Sequence, residues 1–343
     1  LGELHPLPGD PFRKAHVAFE HFPTGSPGET GHGRPRFQCA FPWRGLGHSG
    51  PMASFAQRLA REQRAFLSRP RGAWASHLDQ AQRFLGHLLA SSDPDRPVLI
   101  LGAGTGLEVP WSEAPRGTVG WDADPWSRLR TALRHRRWPP WRFEDATGAM
   151  GPLAAAAHRA ARETWSGRLR EPEVAQARLA ALLPTLPVEP TLLREALETL
   201  RPATVIAANL MGQFGEVARR EVEAAFAPLD PWDEAPELEA AFQAWHRRLL
   251  TAFLDALAQS GASLGLLHDR AVLEGPEIPA LGPFADTWMQ QLQGAGSVEA
   301  HDPLSGLDVL AVLVPRRPVL AQRWWWPVGP GQIHLVEALA YEA

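Results

Sequence analysis

The sequence predicts an α/β protein built on a doubly wound, mostly parallel sheet. Three observations point there. Val98-Leu99-Ile100-Leu101 is a short apolar run, the pattern of a strand buried on both faces beneath helices. Glycines follow it at once on alternate positions, Gly102, Gly104 and Gly106. Further short apolar runs then alternate with stretches of helical periodicity through the rest of the 343 residues.

A loop without Cβ atoms can approach a ligand closely, and positive φ costs it little. At the carboxyl end of the first strand of an open sheet it stands where such sheets bind ligands. The dinucleotide fingerprint places its third glycine three residues after the second. Here it follows after two, and Leu107 occupies the dinucleotide position.

A second apolar run, Gly117 to Trp121, ends at Asp122. That carboxylate lies about 20 positions after the first glycine, the spacing that lets an acid accept hydrogen bonds from ribose hydroxyls. Asp124, just before Pro125, suits a turn or a helix cap instead. A third run, Trp141 to Phe143, leads into Glu144-Asp145-Ala146-Thr147. A fourth, Ala203 to Ala208, ends in Asn209-Leu210-Met211-Gly212.

In this order the pieces resemble the class I S-adenosylmethionine-dependent methyltransferases. The glycine loop is similar to their motif I, and Val119 to Pro125 is similar to their second-strand motif, with Asp122 at the ribose position. Asp145 matches the Asp that meets the adenine amino group. Asn209 and Leu210 match motif IV, where the strand end faces methyl donor and substrate. The resemblance implies a seven-stranded Rossmann-like sheet with an antiparallel sixth and seventh strand, and S-adenosyl-L-methionine as cofactor. It implies a cofactor site of Gly102, Ala103, Gly104, Gly106, Glu108, Asp122, Ala123, Asp145, Ala146, Asn209 and Leu210. Many relatives carry an acid two residues before the first glycine; here it is Ile100, which leaves Glu108 or a backbone carbonyl to hold the methionine amino group. The Asn-Pro-Pro-Tyr tetrad of enzymes acting on exocyclic base nitrogens is absent. The resemblance spans roughly residues 97 to 343, interrupted by an insertion.

The remaining elements follow in order. Residues 1 to 96 form an N-terminal extension. Its first 50 residues are rich in Pro, Gly, His and aromatics and read as irregular but ordered. Residues 52 to 68 and 73 to 90 have the spacing of amphipathic helices, a lid over the substrate or a brace on the sheet. Pro125 to Arg137 is a helix with an Arg-rich, solvated face. Residues 148 to 202 hold three further helical stretches, a helical insertion between strands three and four. Gly215 to Phe226 and Leu238 to Gln259 are helical by spacing. Leu264 to Leu267 is a fifth strand, with His268-Asp269-Arg270 at its carboxyl end. A helix over Asp286 to Gln293 and strands over Asp308 to Val314 and Gln332 to Ala340 complete the chain, with Trp324-Trp325-Trp326 between those strands.

Composition narrows the partners. A net charge of −4 gives no global basic field, so nucleic acid is not indicated. The single Cys39 rules out an internal disulfide and a cysteine-rich zinc site, and no metal motif appears. No apolar run is long enough for a membrane span. The first residues have no signal-peptide pattern, so the expectation is a cytoplasmic protein. The methyl acceptor and the oligomeric state are left open.

Methyl transfer from a sulfonium needs alignment of nucleophile, methyl carbon and sulfur, and needs a base only when the acceptor must lose a proton. Asn209 and His268 are the candidate catalytic residues by their places at strand ends, with Gln213 beside them. Two other functions remain in view, a non-catalytic binding or scaffold protein of the same fold, and an NAD-dependent oxidoreductase.

Overall fold

The computed structural model describes residues 74–104, 106–165, 172–227, 235–275, 299–314, 316–329 and 331–343, all within the unit Gly47–Ala343. The expected helices at 52 to 68 and 286 to 293, and the first 50 residues, lie outside the described residues.

The strands are β1 (Val98–Leu101), β2 (Val119–Trp121), β3 (Trp141–Arg142), β4 (Thr204–Ala208), β5 (Ser263–Glu274), β6 (Glu299–His301), β7 (Pro318–Gly329) and β8 (Gln332–Tyr341). They form one sheet in the order β3-β2-β1-β4-β5-β8-β7, with β6 attached to β5. β1 to β5 pair in parallel, and β8 is antiparallel to both β5 and β7. Only β8 therefore reverses direction among the seven strands of the main path, and with β7 it forms an antiparallel pair at the C-terminus, as the resemblance implies.

The helices are α1 (Ala75–Ser91), α2 (Ser127–His135), α3 (Met150–Trp165), α4 (Pro172–Leu182), α5 (Thr191–Leu200), α6 (Met211–Phe226), α7 (Pro236–Ala258) and the short α8 (Val309–Val312). α7 begins at Pro236, with Glu237 and Glu239 in its first turn, where a missing N–H is no loss and negative charge meets the helix dipole.

Two cores sandwich the sheet. On one face α3, α5, α6 and α7 pack through residues such as Leu153, Leu193, Phe214 and Phe253 onto Leu99, Val205, Leu264 and Leu266. On the other, Phe84, Leu85, Leu88 and Leu89 of α1 pack onto Ile100, Ile206 and Leu267, together with Trp324 and Trp326. Each such side chain contributes about 2 kcal/mol before conformational entropy is subtracted. α1 approaches so closely that a Cβ on Gly265 would lie 2.3 Å from Leu88 Cδ1. The helix predicted at 73 to 90 is thus a brace on the sheet.

The C-terminal elements differ from the sequence reading in two ways. Asp308 to Val314 is not a strand. The Asp308 carboxylate accepts from the N–H groups of Leu310 and Ala311 at 2.9 and 3.4 Å, and this N-cap starts α8 within the apolar run. The strand comes later, in β7, and the Trp triplet belongs to it, with Trp324, Trp326 and Val328 alternating inward.

β5 is also longer than expected. Its pairing with β4 ends at Leu267, but it runs on to Glu274 against β8, roughly 20 Å further at ordinary strand rise. The β5–β8–β7 part of the sheet therefore stands as a wall beyond the carboxyl ends of β1 and β4.

Candidate active site

The strand order reverses between β1 and β4, which makes the crevice at their carboxyl ends the place where an open sheet binds a ligand. Gly102 leaves β1 there and Asn209 leaves β4. Gly102, Gly104 and Gly106 have φ of +68°, +51° and +67°, so all three occupy the region that side chains with a Cβ avoid. The loop folds back tightly. A Cβ on Gly102 would lie 2.8 Å from the Ala208 carbonyl oxygen and from Leu210 Cβ, and one on Gly106 would lie 2.8 Å from Thr131 Oγ1. Described residues from Leu107 to Gly117 form turns and bends, with no helix after the glycines.

Asp122 sits at the end of β2 as expected and faces this loop. Its Oδ2 accepts the Gly104 N–H at 2.8 Å; its Oδ1 accepts the Asp124 N–H at 2.8 Å and the Ser127 hydroxyl at 3.1 Å. Burial pushes its carboxyl up to about 6, against the lowering effect of these hydrogen bonds. A carboxylate offers about four acceptor positions. Three are taken, which leaves capacity for one further donor. Asp124 is buried, accepts the Trp126 N–H at 2.9 Å and pairs with Arg130, so it organises the start of α2.

Asp145 follows β3. Its oxygens accept from the Thr147 N–H and hydroxyl at 2.9 and 2.7 Å and from the Met150 N–H at 2.9 Å. It shapes the turn into α3, with Ala146 buried beside it.

Asn209 has φ of +49°, a conformation Asn tolerates better than most residues, and donates its backbone N–H to the Leu267 carbonyl at 2.7 Å. Its Nδ2 lies 3.5 Å from Glu108 Oε1, and its buried Oδ1 has no hydrogen-bond partner among the described residues. Glu108 also meets His77 Nε2 at 3.0 Å, and Trp324 Nε1 donates to His77 Nδ1 at 3.0 Å. That fixes the neutral ring as the Nε2–H form, which donates to Glu108. His77 is fully buried and stacks on Trp326, ring centroids 4.0 Å apart. The sequence reading missed His77. Its signal was a histidine within the apolar stripe Trp74, Ala81, Phe84 of an amphipathic helix.

His268 is not at the end of its strand. It lies mid-β5 and is fully buried, on the face shared with Leu264 and Leu266, while Leu267 and Asp269 face α1. Its Nε2 is 3.3 Å from Glu337 Oε2, and Arg323 Nε donates to Glu337 Oε1 at 2.7 Å. Burial would raise the Glu337 carboxyl, but His268 and Arg323 outweigh it and hold it at about 2. His268 therefore belongs to a buried polar cluster with Glu337 and Arg323 and is separated by the sheet from the α1 face that holds Glu108 and Asn209. Gln213, in the first turn of α6, donates its backbone N–H to Leu210.

Asp269 pairs with His334 instead of with His268. His334 Nδ1 lies 3.0 Å from Asp269 Oδ2, and His334 meets Trp326 edge-on with ring centroids 5.3 Å apart. The Asp269 side chain rests on the start of α6, 3.4 Å from where a Cβ of Gly212 would stand. Among the described residues no group of His, Cys, Asp or Glu converges to hold a metal ion, and no helix is long and apolar enough to cross a membrane.

No family model matches the sequence, and no curated protein does. Solved structures with a similar course include the N-methyltransferase NodS of Bradyrhizobium japonicum WM9 in complex with S-adenosyl-L-homocysteine. It is 10% identical, the match covers 85% of this chain and 100% of that one, and the TM-score is 0.37. A SAM-dependent methyltransferase from Anabaena variabilis is 9% identical over 85% of this chain and 96% of its own, with a TM-score of 0.36. The 1,6-didemethyltoxoflavin-N1-methyltransferase of Burkholderia thailandensis is 14% identical over 86% and 94%, with a TM-score of 0.28. At this level of superposition the likeness carries no functional inference.

Proposed function

We propose that the protein is an S-adenosylmethionine-dependent methyltransferase. The observation that carries this reading is the clamp of Gly104 N–H on Asp122, which joins a three-glycine turn after β1 to a carboxylate after β2 at the sheet's switch point. When bound, S-adenosylmethionine supplies an electrophilic methyl group on a positively charged sulfur.

The residues present fit such a ligand. Asp122 has capacity for one more donor, a ribose hydroxyl. The Glu108 carboxylate, partly exposed between His77 and Asn209, replaces the acid missing at Ile100 and suits an ammonium group. Asp145 and Ala146 follow β3, on the adenine side implied by the resemblance. Gly102 and Gly106 keep side chains out of the crevice. A dinucleotide fits less well, because its pyrophosphate is held by the N-terminus of a helix after the glycines, and the described residues from Gly106 to Gly117 form none.

Calorimetric titration with S-adenosylmethionine, S-adenosylhomocysteine and NAD tests this. Micromolar binding of the first two, without NAD, is the expected result. Binding of NAD alone, or of none of the three by folded protein, overturns it.

A further inference from the structure

The contacts around the crevice close into a circuit on the α1 face. Asn209 meets Glu108, Glu108 meets His77, His77 stacks on Trp326, Trp326 meets His334, and His334 meets Asp269. Asp269 returns to Gly212, three residues from Asn209. Four polar atoms on this circuit have no hydrogen-bond partner among the described residues: Asn209 Oδ1, Asp269 Oδ1 and both ring nitrogens of His334. Their residues are only 5%, 6% and 9% exposed. Buried polar atoms left unpaired are costly, and groups of them mark places where a ligand completes the bonding.

We propose that Asp269 and His334 form an acceptor site for hydroxyl-bearing molecules, with His334 Nε2 as the atom that takes the hydroxyl proton. The inference rests on the methyl-transfer reading. Asp269 only accepts hydrogen bonds, so the Nδ1 that faces it carries the ring's proton and Nε2 remains an acceptor. The ring is turned off the line of a full hydrogen bond to Asp269, as catalytic pairs often are before a ligand draws them together.

With the proton on Nδ1, turned toward Asp269, the other three atoms, Asn209 Oδ1, Asp269 Oδ1 and His334 Nε2, are all acceptors. The ligand must bring donors. A neutral amine can attack without first losing a proton, whereas a hydroxyl gains from a base, and a carboxylate-oriented imidazole supplies one. Trp326, held between His77 and His334, gives the site an aromatic wall. In the step, the acceptor O–H bond breaks and its proton passes to Nε2. The oxygen forms a bond to the methyl carbon, and the carbon–sulfur bond breaks with its electron pair left on sulfur. The products are a methyl ether, S-adenosylhomocysteine and an imidazolium that returns its proton to water. His334 is the catalytic residue; Asp269 is a positioning residue acting through it.

Long-range proton–nitrogen spectra of the full chain read the histidine tautomers directly. Above neutral pH, His334 is expected as the Nδ1–H form, and Asp269→Asn should abolish that preference. An Nε2–H ring in the wild-type protein overturns the proposal. Phenol, titrated at millimolar concentration with S-adenosylhomocysteine present, should shift the His334 Nε2 signal and leave His268 unmoved; toluene should shift neither. His334→Gln, with its fold verified by circular dichroism, should weaken phenol binding about tenfold, the scale of one lost hydrogen bond. Phenol that moves no His334 signal overturns the hydroxyl class. Calorimetry with S-adenosylhomocysteine separates the two readings. Its failure to bind removes methyl transfer and the proposal that rests on it. Normal binding with the wrong His334 tautomer removes only the proposal.

Discussion

The backbone N–H of Gly104 donates to Oδ2 of Asp122 across 2.8 Å, so the turn after β1 and the end of β2 are one structural unit. Shortening the side chain in Asp122→Ala should therefore act twice, by removing a ribose partner and by releasing the loop. Weakening of S-adenosylhomocysteine binding by tenfold or more is expected, the scale of one charge-assisted hydrogen bond. An unchanged dissociation constant in calorimetry would refute the assignment of Asp122.

The same residue should make stability depend on pH. Burial raises the Asp122 carboxyl from 3.8 to about 6 in the folded protein. A raised folded-state value favours the protonated form on folding. Its contribution is present below the unfolded value and is lost as pH climbs through the folded one. Relative to wild type, Asp122→Asn should gain stability between about pH 4 and 6 and hold that gain above it. Denaturant midpoints measured across this range provide the check, and a pH-independent difference would contradict it.

Glu337 should act in the opposite sense. Held at about 2 by His268 and Arg323, it contributes stability above its ordinary value of 4.5 that is lost as pH falls toward 2. Glu337→Gln should destabilise the protein at neutral pH by about 2 kcal/mol, by leaving buried His268 without its carboxylate. The difference from wild type should shrink on acidification, as read from urea midpoints.

His268→Ala separates the sequence reading from the structure. A residue at the strand end would be needed for turnover. A residue in the Glu337 cluster, on the face away from Glu108 and Asn209, should alter stability and leave cofactor affinity within about twofold, well under the tenfold of one lost hydrogen bond. Calorimetry beside thermal melts distinguishes the outcomes.

Gly102→Ala tests the loop itself. The new Cβ would stand 2.8 Å from the Ala208 carbonyl oxygen at a φ of +68°. The left-handed conformation alone costs roughly 1–2 kcal/mol, and the clash adds to it. A lower melting temperature together with weaker S-adenosylhomocysteine binding is expected; a neutral substitution would mean that the loop adopts another conformation.

Local pattern made much of this fold legible. The runs at Val98, Val119, Trp141 and Thr204 are strands, and the helices from α1 to α7 lie close to where their periodicity puts them, because a buried strand and an amphipathic helix each write their period into consecutive residues. Asp308 to Val314 misled because apolar composition cannot separate a short buried helix from a strand, and the Asp308 cap decided in favour of the helix. β5 misled because its second half pairs with β8, some 65 residues away, and no local signal announces that partner.

The sequence by itself determined the α/β class, the glycine turn, and the positions of Asp122, Asp145 and Asn209 at strand ends, since each depends on spacing along the chain. Only the tertiary structure decided which acids and histidines meet. Asp269 and His268 are neighbours in sequence but point to opposite faces of β5, so one joins His334 and the other Glu337. His77 and Glu108 lie 31 residues apart and meet because α1 packs across the sheet onto the glycine loop. Strand alternation and helix packing bring these side chains together, and both act through pairings that the linear order does not record.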